Sequence, residues 1–130
     1  QMAAEALIAA GVKAVFTPTD NTVMTAELSI YETFTEAGVQ HYTGADSFAL
    51  NGAFVGYGVD YVQLGQQVAD LTLKVAEGTS PADLPYETLS EYAKYVNLQA
   101  ADTLGLELTD EMLEGYNVLV EKDGTSHFGE

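Results

Sequence analysis

The sequence predicts an α/β domain with a doubly wound, mostly parallel sheet. Three observations carry that expectation. The chain of 130 residues is 47% hydrophobic and 18% charged, enough apolar material to bury roughly two thirds of the unfolded surface around one core. Short β-branched and aromatic runs alternate with helical stretches, the order of βαβ units. Acidic segments rich in turn and cap residues follow the first three runs, and open sheets of this kind bind ligands outside the carboxyl ends of their strands.

The elements follow in order. Residues 2–10, rich in Ala and Leu, read as a helix stopped by Gly11. Nothing before Met2 can cap it, so the opening is expected to belong to something longer. Val12–Thr17 is a compact buried strand, followed by the turn-forming Pro18-Thr19-Asp20-Asn21-Thr22. Val23–Ala37 is helical, with Val23, Ile30, Phe34 and Ala37 on one face and Gly38 at its end. His41–Ala45 is a second strand broken by Asp46-Ser47, and Ala53–Val59 a third, in which Gly56 and Gly58 mark a bend or a close backbone approach. Tyr61–Ala76 is the strongest helix, because Leu64, Val68, Leu71 and Val75 recur at helical spacing before Gly78. Residues 79–85 hold two prolines and read as a connector. A strand over 91–96, a helix over 97–104, a further helix from Thr109 to Tyr116 and a short strand over 118–120 complete the pattern, with a tail to Glu130.

Charge excludes several functions. Twenty acids stand against four lysines and no arginine, a net charge of −16, so phosphates of nucleic acids or anionic membranes find no counter-charge. No apolar run approaches the length of a membrane span, and no signal segment opens the chain. Without cysteine there are no disulfides and no thiolate metal sites.

The candidate functional residues are the acids at the strand ends. Thr19-Asp20-Asn21-Thr22, Asp46-Ser47 and Val59-Asp60-Tyr61 each set an acid beside a second hydrogen-bonding group where a strand has ended. One reading is a shared cleft; the other is that these residues merely cap helices and form turns. Enzyme readings find less support. His41 and His127 are far apart, Ser47 has no G-x-S-x-G elbow, and neither a phosphate loop nor G-x-G-x-x-G occurs. No catalytic residue, metal site or cofactor is expected. Glu107, Asp110, Glu111 and Glu114 read as a solvated helix face.

Five motifs occur in a telling order: AVFTPTDNTV (14–23), GADSF (44–48), GVDYxxLG (58–65), EGxxPADxP (77–85) and VNxxxAxxLGL (96–106). Together they resemble the C-terminal part of ABC-transporter substrate-binding proteins of the tryptophan/tyrosine-type (TrpX-like) group, from Gln1 to about Val120. The resemblance implies a two-lobed clamshell of type I periplasmic-binding-protein-like lobes, whose chain crosses the hinge three times. Residues 1–60 would be the latter part of the second lobe, 61–78 a helix packing on the first lobe, and 79–120 a return to the second lobe. The 121–130 tail departs from the pattern. It further implies an extracytoplasmic protein, periplasmic or lipid-anchored, that delivers a small molecule to an ABC permease, with its export signal outside this segment.

By the same resemblance Thr19, Asp20, Asn21, Asp46, Ser47 and Asp60 face the ligand. For an amino acid, Asp46 or Asp20 would take the ammonium, and Tyr57 or Tyr61 would border an aromatic side chain. Helix-start N–H groups or the other lobe would meet the carboxylate. A sensory domain of the same fold, or a small flavodoxin-like enzyme, are the competing readings. The apolar stripe of the 61–76 helix, left uncovered, leads to the expectation of a homodimer through that helix.

Overall fold

The computed structural model describes residues 1–89 and 91–127; the last three residues of the expected tail, 128–130, lie outside them. Two compact units divide the chain, residues 1–58 with 93–130, and residues 59–92.

The larger unit holds a five-stranded sheet in the order β1-β2-β3-β4-β5. Its strands are β1 (Ala14–Thr17), β2 (Gln40–Thr43), β3 (Val55–Gly58), β4 (Ala93–Asn97) and β5 (Tyr116–Val120). β1, β2 and β3 run parallel, β4 is antiparallel to β3, and β5 is parallel to β4. The sheet is therefore mostly parallel, and β1, β2 and β3 send their carboxyl ends to one edge. The helices of this unit are α1 (Met2–Ala9), α2 (Asn21–Glu36), α3 (Asp46–Leu50) and α5 (Leu98–Thr103).

Strand alternation sets the layers. Val15, His41, Thr43, Gly56 and Gly58 are buried, while Ala14, Phe16 and Tyr57 between them are exposed. On the buried side Val15 joins Ala4, Ile30, Phe34 and Val39 in one cluster, which fixes α1 and α2 over β1. Beside β4 and β5 a second cluster gathers Phe54, Val96, Leu98 and Ala101. The paired glycines of β3 have a steric cause. A Cβ on Gly56 would stand 2.9 Å from the Ala45 carbonyl oxygen, and one on Gly58 would be driven into the Gly44 carbonyl. Of the two expectations for these glycines, close approach is the one realised: the backbone at the end of β2 lies directly against β3.

Several expected boundaries move. α2 begins at Asn21 rather than Val23 because Asp20 caps it, and Ala37, expected on its buried face, is exposed as the residue after its last turn. Asp46-Ser47 does not break the chain into a loop but opens α3. Residues 110–115 form turns instead of the expected helix, and Tyr116 begins β5. Thr109 Oγ1 does accept a bond from the Met112 N–H, at 3.3 Å, yet no buried stripe follows to hold a helix. Glu107, Asp110, Glu111 and Glu114 are exposed as expected, on turns and coil rather than a helix face. The start of the expected tail doubles back: the His127 N–H donates to the Leu119 carbonyl and the Glu121 N–H to the Thr125 carbonyl, both at 2.8 Å.

The smaller unit consists of α4 (Tyr61–Ala76) and the connector after it, with a 3-10 turn at Pro81–Asp83. Glu87 ties the connector to α4, accepting from Gln67 Nε2 at 2.8 Å and lying 3.8 Å from Lys74 Nζ. No residue of α4 is buried.

Candidate functional site

At the edge where β1 and β2 end, the chain makes two acidic loops and ties them together. Thr19 donates its hydroxyl to the Gly44 carbonyl at 2.8 Å. This bond links the loop after β1 to the loop after β2, and a Cβ on Gly44 would displace Thr19 Oγ1. A second tie is the Ser47 hydroxyl donating to Met24 Sδ at 3.8 Å. The starts of α2 and α3 therefore sit side by side in the larger unit, with Asp20, Asn21, Asp46 and Ser47 among their first residues.

The acids do local work there. Asp20 Oδ1 accepts from the Thr22 and Val23 N–H groups at 2.8 and 3.0 Å, satisfying donors that the first turn of α2 leaves without helical partners. Asp46 is not a cap, since the position before α3 is Ala45; its Oδ1 accepts from the Ser47 N–H at 2.7 Å. Asn21 is exposed and accepts the Thr25 hydroxyl at its backbone carbonyl. In each acid the other carboxylate oxygen, Oδ2, has no hydrogen-bond partner among the described residues, so capping and ligand contact are compatible.

Tyr57 is placed differently from the acids. It stands on the open face of the sheet, 55% exposed, and shares with Phe16 and Tyr42 a shallow groove of about 440 Å³. In the smaller unit Asp60 caps α4, accepting from the Val62 and Gln63 N–H groups at 2.9 and 3.1 Å, and Tyr61, 60% exposed, is the first residue of that helix. Among the described residues no group of three His, Asp or Glu side chains converges as a metal site.

The sequence reading passed over one polar cluster beneath this edge. Glu27 of α2 and His41 of β2 are 0% and 2% exposed, with Glu27 Oε1 3.5 Å from His41 Nδ1. On its other side His41 Nε2 lies 2.9 Å from Thr17 Oγ1, at the last residue of β1, and the Phe34 ring meets the imidazole edge-on at 5.3 Å. Burial pushes the Glu27 carboxyl up to about 7 and the His41 imidazole down to about 4, because both charged forms lose hydration. The signal in the sequence was an acid at position 27 inside the stripe Val23, Ile30, Phe34, four residues after Val23 and three before Ile30.

Comparisons with known proteins fit this architecture. A profile of the family described as ABC transporter substrate binding protein matches residues 1–117. A tyrosine-binding protein of Clostridioides difficile (strain R20291) is 26% identical over 92 residues, covering 71% of this chain and 27% of that protein. A ligand-free, open structure of a substrate binding protein with adhesive properties from Clostridium difficile superposes with a TM-score of 0.75 at 22% identity. An L-Trp complex from Streptococcus pneumonia gives a TM-score of 0.75 at 20% identity. In both structures the match covers 90% of this chain and 39% of the other, so the chain spans well under half the length of the proteins it resembles. The parallel β1–β3 edge, the five motifs and a profile match over nearly the whole sequence converge on one assignment: the chain belongs to the ABC transporter substrate-binding protein family.

Proposed function

We propose that this chain supplies part of one wall of the binding cleft of an extracytoplasmic solute receptor that serves an ABC importer, and that its ligand is an amino acid. The observation that carries the proposal is the pair of tied acidic loops, in which Asp20 and Asp46 follow the ends of two parallel neighbouring strands. A carboxylate oxygen of Asp46 or Asp20 accepts the ligand's ammonium in a charge-assisted bond, and with no arginine in the chain the carboxylate is met by backbone N–H groups or by the facing lobe. The likeness to a tyrosine-binding protein and to a protein in complex with L-Trp supports an aromatic amino acid, which Tyr57 or Tyr61 would border. Within this proposal residues 1–60 and 79–120 belong to the second lobe, while the 61–78 helix packs on the first. The absence of buried residues on α4 supports that division, and equally supports a dimer of the isolated chain through the helix. Nothing in the site asks for a nucleophile or a resident cofactor, and the proposed role is binding rather than catalysis.

Isothermal titration of the full-length receptor with L-tyrosine tests the reading. Asp46→Asn should weaken binding by ~1.5–3 kcal/mol, the range for hydrogen bonds to charged groups. Unchanged affinity in both Asp46→Asn and Asp20→Asn would remove this edge from the site.

A further inference from the structure

The Glu27–His41–Thr17 line is buried, polar and unused by the ligand-facing loops themselves. Both oxygens of Glu27, Nδ1 of His41 and the hydroxyl of Thr43 lack hydrogen-bond partners among the described residues. Buried polar atoms are rarely left so, and two facing acceptors 3.5 Å apart repel unless a proton lies between them. Thr17 Oγ1 sits 2.9 Å from Nε2, and a hydroxyl accepts there as readily as it donates, so the tautomer protonated at Nε2 satisfies Thr17 and leaves Nδ1 to accept from Glu27.

We propose that Glu27 and His41 share one proton across this gap and act as positioning residues, holding Thr17 and through it the Pro18–Asp20 loop at the ligand-facing edge. The proposal rests on the reading of that edge as a binding wall, but the shared proton does not. Its direction follows from the surroundings. From β1 the pair meets Thr17 and from α2 the Phe34 ring. The titratable residues of the flanking helices, Glu5 of α1 and Asp46 of α3, displace neither group, since burial is the cause for both. With no third charge to stabilise an ion pair, the neutral carboxylic acid donating to a neutral imidazole is the favoured form. Thr17 lies three residues before Asp20, the cap of α2. A Thr17 hydroxyl fixed from below therefore orients the segment that carries Thr19 and Asp20.

Nitrogen-15 NMR of the histidine rings in this chain reads the proton without any ligand. The expected His41 signature is a neutral ring, protonated at Nε2, with Nδ1 accepting a hydrogen bond, unchanged between the ordinary values of the two groups, 4.5 and 6.5. A ring that titrates as an ordinary imidazole, or one protonated at Nδ1 in its neutral form, would overturn the proposal. Hydrogen exchange at the Thr22 and Val23 amides, which Asp20 holds, reads the positioning. Their protection should fall by about tenfold as the pH passes the point where Glu27 ionises. Glu27→Gln, which keeps a donor toward Nδ1, should keep the protection at every pH. Protection that is independent of pH in the unsubstituted chain would refute the positioning role, and so would a fall of equal size in Glu27→Gln. Both readouts stand whether or not L-tyrosine binds, so failure here and failure of the binding proposal are separable.

Discussion

Replacing Glu27 by glutamine should raise the stability of the chain at neutral pH, although it removes half of a buried pair. The carboxyl has an ordinary value of 4.5 and is raised to about 7 in the fold. A group raised in this way contributes its full stability below 4.5 and loses it as the pH rises toward 7. At about 1.4 kcal/mol per pH unit, the interval corresponds to roughly 3 kcal/mol. His41 runs the other way: its ordinary value of 6.5 falls to about 4, so its contribution is complete above 6.5 and is lost as the pH falls toward 4. Between 4.5 and 6.5 the two slopes oppose each other, because the folded pair and the unfolded pair each hold one proton. Glu27→Gln deletes only the first slope. The variant should match the unsubstituted chain near pH 4.5 and exceed it by up to ~3 kcal/mol at pH 7. Urea unfolding at the two pH values measures this as a midpoint rise of ~1–3 M at neutral pH only, given slopes of about 1–3 kcal/mol per molar. Stabilities that differ by the same amount at pH 4.5 and pH 7 would rule out a displaced proton, since a constant offset reports packing alone.

Gly58→Ala should destabilise the larger unit by about 1–3 kcal/mol or more, because its Cβ would meet the Gly44 carbonyl and no flexible side chain can swing aside; Gly65→Ala, in the interior of α4 with nothing within 4 Å, should instead add about 0.5–1 kcal/mol. Urea unfolding ranks the two, and equal effects would dismiss the steric account of the β3 glycines. A net charge of −16 should make the melting temperature climb between low and physiological salt, whereas a flat response would mean that local pairing outweighs the net charge. Light scattering of the isolated chain at tens of micromolar should report a dimer that Val68→Glu in α4, at a position 54% exposed, returns to a monomer; a monomer from the outset would remove the helix as an interface.

Much of the architecture was legible because helix and strand signals were local. α4 matches its expected bounds at both ends, since Asp60 before it and Gly78 after it flank an uninterrupted apolar stripe. α2 began earlier than its apolar residues suggest, because the capping bond from Asp20 and not the first buried side chain sets a helix start. α3 spans five residues, too short for helical periodicity to register. The expected helix over 109–116 had a plausible cap but no buried stripe, and the chain turns there to enter β5 at Tyr116 beside Lys94 of β4. The acids at the strand ends were readable from order alone, whereas their division of labour was not: capping depends on φ and ψ, which place Asp20 and Asp60 before their helices and Asp46 inside its own. Glu27 and His41 escaped because each looks ordinary by itself, an acid in a helix and a histidine in a strand. Only the pairing of α2 over β2 makes them one unit.

Whether the tied loops at the β1–β2 edge touch an amino acid is read by amide chemical-shift mapping of the nitrogen-15-labelled chain with L-tyrosine. Shifts should concentrate at residues 19–22 and 44–48, with weak affinity because a single wall cannot enclose a small molecule, and should be lost when the amine is acetylated. Shifts confined to the exposed sheet face around Phe16 and Tyr57, or shifts at the loops that survive acetylation of the amine, would contradict that contact.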